Sequence, residues 1–182
     1  MTCSFSGEQL EAVRVFHGHS CPGLAIGIRA AEYALREFAG IDDGNLVCVS
    51  ETDMCGVDGI QYLTGCTFGK GNFIHRDVGK AAFSFFDRGS GKALRFLLRT
   101  DAKDGKNAPA ADRQEMITLL MDKPLEEVFT CTPLDEQPPK RARILSSLVC
   151  EQCHEETMES RTRRYQGQTL CIPCFTEVEQ KL

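Results

Sequence analysis

Within Phe16-His17-Gly18-His19-Ser20-Cys21-Pro22-Gly23 two imidazoles and a thiol fall inside five positions, a density of soft metal ligands that a plain connector does not need. Pro22 suits the first position of a helix, which makes Cys21 the N-cap. The partial positive charge at that terminus favours thiolate over thiol. A second segment, Cys55-Gly56-Val57-Asp58-Gly59-Ile60-Gln61, adds another thiol and a carboxylate. On a helix starting near Val57, Asp58 and Gln61 share a face three residues apart. The run Gly65-Cys66-Thr67-Phe68-Gly69-Lys70-Gly71-Asn72 follows, with glycines that suit a nest of N–H groups for an anion and Lys70 adding charge. It is not a Walker loop, because Gly71 stands where a magnesium-binding hydroxyl is required. Near the C-terminus, Cys150-x2-Cys153 and Cys171-x2-Cys174 are separated by seventeen residues. Two such pairs meet the tetrahedral four-thiolate requirement of structural zinc.

The first two segments support a core metal site with His19, Cys21 and Cys55 as ligands. His17 is then a fourth ligand, a group behind the ligands or a proton carrier, and Asp58 orients a ligand or shuttles a proton. Three protein ligands leave a position open for water or substrate. The residue types also allow metal-free thiol chemistry, with Cys21 as the activated thiolate, His17 or His19 as base, and Cys55 or Cys66 as resolving partner. Gln61 and Lys70 are the candidate cofactor-binding residues. A third reading is non-enzymatic: an accessory or regulatory protein that binds a partner through its finger. His75, His154, Cys3, Cys48 and Cys131 read as solvated or buried side chains outside any site.

Local signals say which elements hold these residues. Ser6 is an N-cap with Gln9 at the capping-box position, and Leu10, Val13 and Phe16 follow at helical spacing. Leu24, Ile28, Ala31, Leu35 and Phe38 predict a second helix closed by Gly40. A buried strand is expected over 46–49, a short helix over 57–63 ended by Gly65, and strands between Phe73 and Arg99 turning at Arg88-Gly89-Ser90-Gly91. A helix over 110–121 and a turn at Pro124 complete an α+β core of helices on a mainly antiparallel sheet, assigned to residues 1–134. Prolines between Pro133 and Pro139 mark a linker over 135–147, and 148–182 form the finger. There a hairpin near Gly167 and a helix over 172–180 predict a treble clef that depends on its metal for stability.

The 182 residues carry a formal net charge of −5, and residues 140–182 hold seven Lys or Arg against six Glu, a net of +1. That balance argues against nucleic acid as a partner. With no apolar run of membrane-spanning length and no secretory pattern, the expected setting is a reducing cytoplasm, in which ten cysteines stay free.

The runs at 16–24, 55–61 and 65–72, the Asp77-Val-Gly79-Lys80-Ala-Ala-Phe83 segment and the terminal cysteine pairs, in that order, resemble the E-subunit family of formylmethanofuran dehydrogenase. The resemblance implies an α+β core followed by a treble-clef zinc finger, an intertwined homodimer, and a core cleft lined by these His, Cys and Asp positions. It also implies a link to a molybdenum or tungsten enzyme complex or a pterin-type cofactor, with redox or one-carbon chemistry. The second metal ion implied in the core is taken as zinc.

Overall fold

A capping box starts the chain's first helix: Gln9 N–H donates to Ser6 Oγ at 3.2 Å and Ser6 N–H to Gln9 Oε1 at 2.9 Å. The computed structural model describes residues 2–42, 44–102 and 113–179. Helix α1 covers Gly7–His17 and α2 Pro22–Glu37. Strand β1 (Leu46–Ser50) leads to α3 (Gly56–Thr64), followed by β2 (Phe73–His75), β3 (Ala82–Asp87) and β4 (Ala93–Leu98). Helices α4 (Arg113–Asp122) and α5 (Leu125–Val128) precede β5 (Phe129–Pro133). The expected helix start at Ala110 to Asp112 lies outside the described residues. Gly40 takes a positive φ of 77°, but α2 already ends at Glu37 with Phe38 as its cap, so the glycine belongs to the following turn.

Five strands form one sheet in the order β2-β1-β3-β4-β5, antiparallel except for the β1–β2 pair. The fold is α+β, and the sheet's alternation sorts its two faces. Cys48 lies opposite Phe85 and Phe85 opposite Leu94; Phe83 opposes Phe96. This face joins the main core, where Tyr33 of α2 stacks on Phe96 at 4.4 Å between ring centroids. The other face carries Val47, Val49, Phe86 and Ala93. Part of the expected linker is pinned to the core unit there: Leu134 N–H donates to Ala93 O at 3.0 Å, and Arg88 Nε donates to Pro139 O at 2.8 Å.

Helix α2 is buried around most of its circumference from Leu24 to Ala34, not along one stripe, because it packs on α3, α4 and α5. Leu35 is only half-buried, whereas Arg29 is 1% exposed. The Arg29 guanidinium pairs with Glu32 at 2.6 Å and donates to Lys123 O at 2.7 Å, as a buried cation requires. The α2–α3 contact is backbone on backbone. A methyl built on Gly27 would stand 2.0 Å from Gly56 O, and one on Gly59 would stand 3.1 Å from Ile28 N. Glycine at these places is a condition of the approach.

The chain divides into two compact units, Met1–Arg141 and Ala142–Leu182. The second contains two hairpins, β6 (Ser147–Val149) with β7 (Glu156–Met158) and β8 (Thr162–Tyr165) with β9 (Gln168–Cys171), then α6 (Ile172–Val178). The expected turn at Gly167 is present, with Gln166 and Gly167 at φ 48° and 85° as a two-residue hairpin loop needs. Its small apolar cluster, Leu170 with Tyr165 and Phe175 around Cys150, Cys171 and Cys174, is too slight to hold the unit alone.

Candidate metal centres

Helix α1 ends on His17, and Gly18 turns the chain with φ 91° while its N–H caps Arg14 O at 2.9 Å. After only His19 and Ser20 the chain enters α2. Cys21 is the N-cap, in extended conformation, and its sulfur accepts the Leu24 N–H at 3.3 Å. The tight corner brings His17 Nε2 to 3.9 Å from Cys21 Sγ and its ring to 4.4 Å from that of His19. Cys55 arrives from the second segment as the residue before α3. Its Cβ stands 3.1 Å from where a Gly23 methyl would be, so the glycine-lined approach of α3 to α2 is what admits this thiol.

One donor atom from each of His17, His19, Cys21 and Cys55 lies within 4.8 Å of the others. His19 is exposed; the other three are half-buried. His17 Nδ1 meets Asp58 Oδ2 at 2.7 Å, so with the proton on Nδ1 the Nε2 lone pair faces the cluster. A carboxylate behind an imidazole is the arrangement that orients metal-bound histidines. Burial, then the adjacent Cys21 thiol, raises the Cys55 thiol above its ordinary value. A bound cation would act in the opposite sense and favour both thiolates.

The remaining candidates lie elsewhere. Cys66 is fully buried in the main core, with its sulfur 3.5 Å from Leu46 O, and burial raises its thiol. It is not among the four converging donors. Gln61 Oε1 accepts the Phe68 N–H at 2.9 Å, Asn72 Oδ1 the Thr67 N–H at 2.9 Å, and Thr67 Oγ1 the Lys70 N–H at 3.3 Å. These bonds consume donors that an anion nest would need. Lys70 Nζ comes within 3.4 Å of the Gly65 methyl position, at the carbonyl end of α3, where a cation complements the helix dipole. Gln61 and Lys70 therefore have structural work within the loop. Tyr62 is not a candidate by residue type, yet its ring meets Phe16 at 5.5 Å beside His17. Its one signal in the sequence is its place one turn beyond Asp58 on α3.

In the second unit the sulfurs of Cys150, Cys153, Cys171 and Cys174 lie within 4.8 Å of one another, and only Cys153 is exposed. Backbone N–H groups of Cys153 and Cys171 aimed at Cys150 lower its thiol to about 6. The Cys171 N–H lies 3.3 Å from that sulfur. Thiolates already solvated by backbone donors are what a structural zinc needs.

An α+β core joined to a four-cysteine zinc finger defines a metal-binding protein. Residues 16–130 match the family described as FmdE, molybdenum formylmethanofuran dehydrogenase operon, and residues 143–180 match the prokaryotic dksA/traR C4-type zinc finger. The chain belongs to the FmdE family. A probable S-adenosyl-L-methionine-binding protein of Archaeoglobus fulgidus is 27% identical over 187 residues, covering 87% of this chain and 50% of that one. The chain thus spans about half the length of that relative. An FmdE-like tungsten formylmethanofuran dehydrogenase protein of Syntrophus aciditrophicus shares the fold, with a TM-score of 0.73 at 24% identity over 99% of this chain and 100% of that one. Among the described residues no helix is long and apolar enough to cross a membrane.

Proposed function

We propose that the core cluster is a second metal centre, with zinc as its ion, and that it serves one-carbon chemistry. The observation that carries this reading is the convergence of four soft donors from two separate segments within 4.8 Å, with Asp58 behind His17 at 2.7 Å. Cys21, Cys55 and His17 would hold the ion, and exposed His19 would be the donor that gives way to a substrate. The ion would supply Lewis acidity at that exchangeable position. The chain's own residues do the rest: Asp58 fixes the His17 tautomer, and the Leu24 N–H holds the Cys21 sulfur in place. The one-carbon assignment is supported by the relatives' names, which concern a formyl carrier and a methyl donor. Metal analysis tests the reading. Two equivalents per chain are expected, falling to one in Cys55→Ser with the finger intact; one equivalent in both proteins would refute it.

One observation favours a second reading, in which Asp58, His17 and Cys21 form a line from carboxylate through imidazole to thiol. In metal-free protein that relay would make Cys21 a nucleophile. Selective alkylation of Cys21 at neutral pH, abolished in His17→Ala, supports it, and an inert Cys21 removes it.

The same proposal extends to the assembly. Residues 1–134 act as the catalytic or ligand-binding core and 148–182 as a treble clef, on the pattern of knuckle, hairpin and second knuckle opening a helix. A cytoplasmic homodimer working beside a molybdenum or tungsten enzyme, with a pterin-type cofactor as its ligand, follows from the family alone.

A further inference from the structure

A pocket of about 230 Å³ opens between α1, α2 and α4. Its walls are Leu10, Leu24, Ala25, Ile28, Ile117 and Met121, and it continues to Ser20 and Cys21. Along α2 it runs from Cys21 to Ile28, about 10 Å at the helical rise. Along α1 it runs the opposite way, from Gly7 to Arg14, one turn short of His17. The two helices therefore place their polar residues, Arg14, Ser20 and Cys21, at the cluster end and leave the far end to aliphatic side chains. Helix α1 packs chiefly on α3 while α2 packs on α3 and α4, which keeps the gap between α1 and α2 open.

We propose that this pocket receives the aliphatic chain of a small ligand whose soft head group, a thiol or thioether, meets the cluster at Cys21. The choice of head rests on the reading of the cluster as a metal centre; the chain site does not. Close packing elsewhere in the core makes an apolar opening of this size unusual. Since an apolar cavity of about 150 Å³ accommodates benzene, this one suits a chain of about six to eight carbons. Soft sulfur matches the Cys and His donors better than a carboxylate would. The net result is a graded site: carbon at the Ile28–Met121 end, sulfur at the Cys21 end.

The test is an NMR titration of the full-length, metal-loaded protein with 1-alkanethiols from ethanethiol to octanethiol, read at the methyls of Ile28 and Ile117. Affinity should rise about fourfold per methylene until the chain reaches six to eight carbons and then level off. Ile117→Trp and Ala25→Leu, which narrow the pocket from two different helices, should each weaken hexanethiol at least tenfold and leave ethanethiol unchanged. 1-Hexanol separates the two parts: the same chain-length trend with no preference for thiol over alcohol keeps the chain site and removes the metal-bound head. Methyls that ignore both series, affinity independent of chain length, or shifts that vanish on dilution because a second copy fills the groove, would overturn the proposal.

Discussion

Gly27→Ala is the substitution that separates the helix contact from every other feature of the core. Its new Cβ would stand 2.0 Å from Gly56 O and 2.5 Å from Gly56 C and Cα, while ordinary contact begins near 3.4 Å. The obstacle is backbone, so no side chain can swing aside, and α3 must move away by about 1.4 Å. Cys55 and Asp58 ride on that helix. Metal–ligand distances tolerate about 0.2 Å, and a functional constellation about 0.5 Å. The displaced Cys55 is therefore lost as a donor, and core metal affinity should fall at least 100-fold, beyond the loss expected from disturbing an orienting group alone. Overpacking costs about 1–3 kcal/mol, and the better helix propensity of alanine returns up to about 1 kcal/mol. A melting point lower by about 3–8 °C follows. Gly7→Ala is the control, since its methyl meets nothing within 4 Å. Gly56→Ala, with its nearest contact at 3.0 Å, should fall between the two. Competition with a chromophoric chelator reads affinity and calorimetry reads stability. Wild-type affinity and melting in Gly27→Ala would refute the claim that the glycine contact builds the site.

Asp58→Asn should lower core metal affinity 10- to 100-fold while shifting stability by less than about 1 kcal/mol, measured by the same competition, because the group orients His17 and packs against little else. Chelation, or Cys174→Ser, should expose residues 142–179 to protease and collapse their amide dispersion, since the metal supplies about 10 kcal/mol or more that the small apolar cluster cannot. The Arg95 guanidinium, bonded to Glu51 at 2.6 and 2.9 Å, holds that carboxyl below its ordinary range. Glu51→Gln should cost about 1–3 kcal/mol at pH 7, less than for a fully buried pair because Arg95 keeps some exposure. A depressed folded value means the pair's contribution is complete above about 4.3, the unfolded carboxyl value, and fades as pH falls through the lower folded one, so urea melts of the two proteins should converge in acid.

Features with a local cause are legible in the residues. The Ser6/Gln9 box, Cys21 before Pro22, Gly65 after α3 and the Gln166-Gly167 turn each depend on neighbours a few positions away, and each is found in place. Strand β5 escapes a reading of pattern because Phe129-Thr-Cys-Thr-Pro133 is short and abuts a proline-rich run, and its pairing with β4 is a long-range fact. The parallel β1–β2 pair, with α3 between its strands, is equally invisible in periodicity. Within the site, residue types point to His17, Cys21, Cys55 and Asp58, but not to the 2.7 Å bond that pairs His17 with Asp58. Gly27 shows the limit most plainly. Inside a helix a glycine reads as a cost to propensity, and its reason lies in Gly56, on another helix.

The two cysteine-bearing sites are built on opposite principles, and the contrast bears on what each can do. The finger draws its donors from two short knuckles, and three of its four sulfurs are buried. Its shell closes with local geometry and backbone N–H groups, so an ion held there has no vacant side. The core cluster has no fully buried donor, includes an imidazole in solvent, and depends on a helix contact to bring Cys55 to Cys21. A site of that kind is expensive to assemble merely for stability, because the surrounding aromatic core already packs without it. Its exposure at His19 and its continuity with an apolar pocket through Cys21 make sense where a donor has to leave and a ligand has to enter. Exchange, not closure, is what the geometry of the core favours.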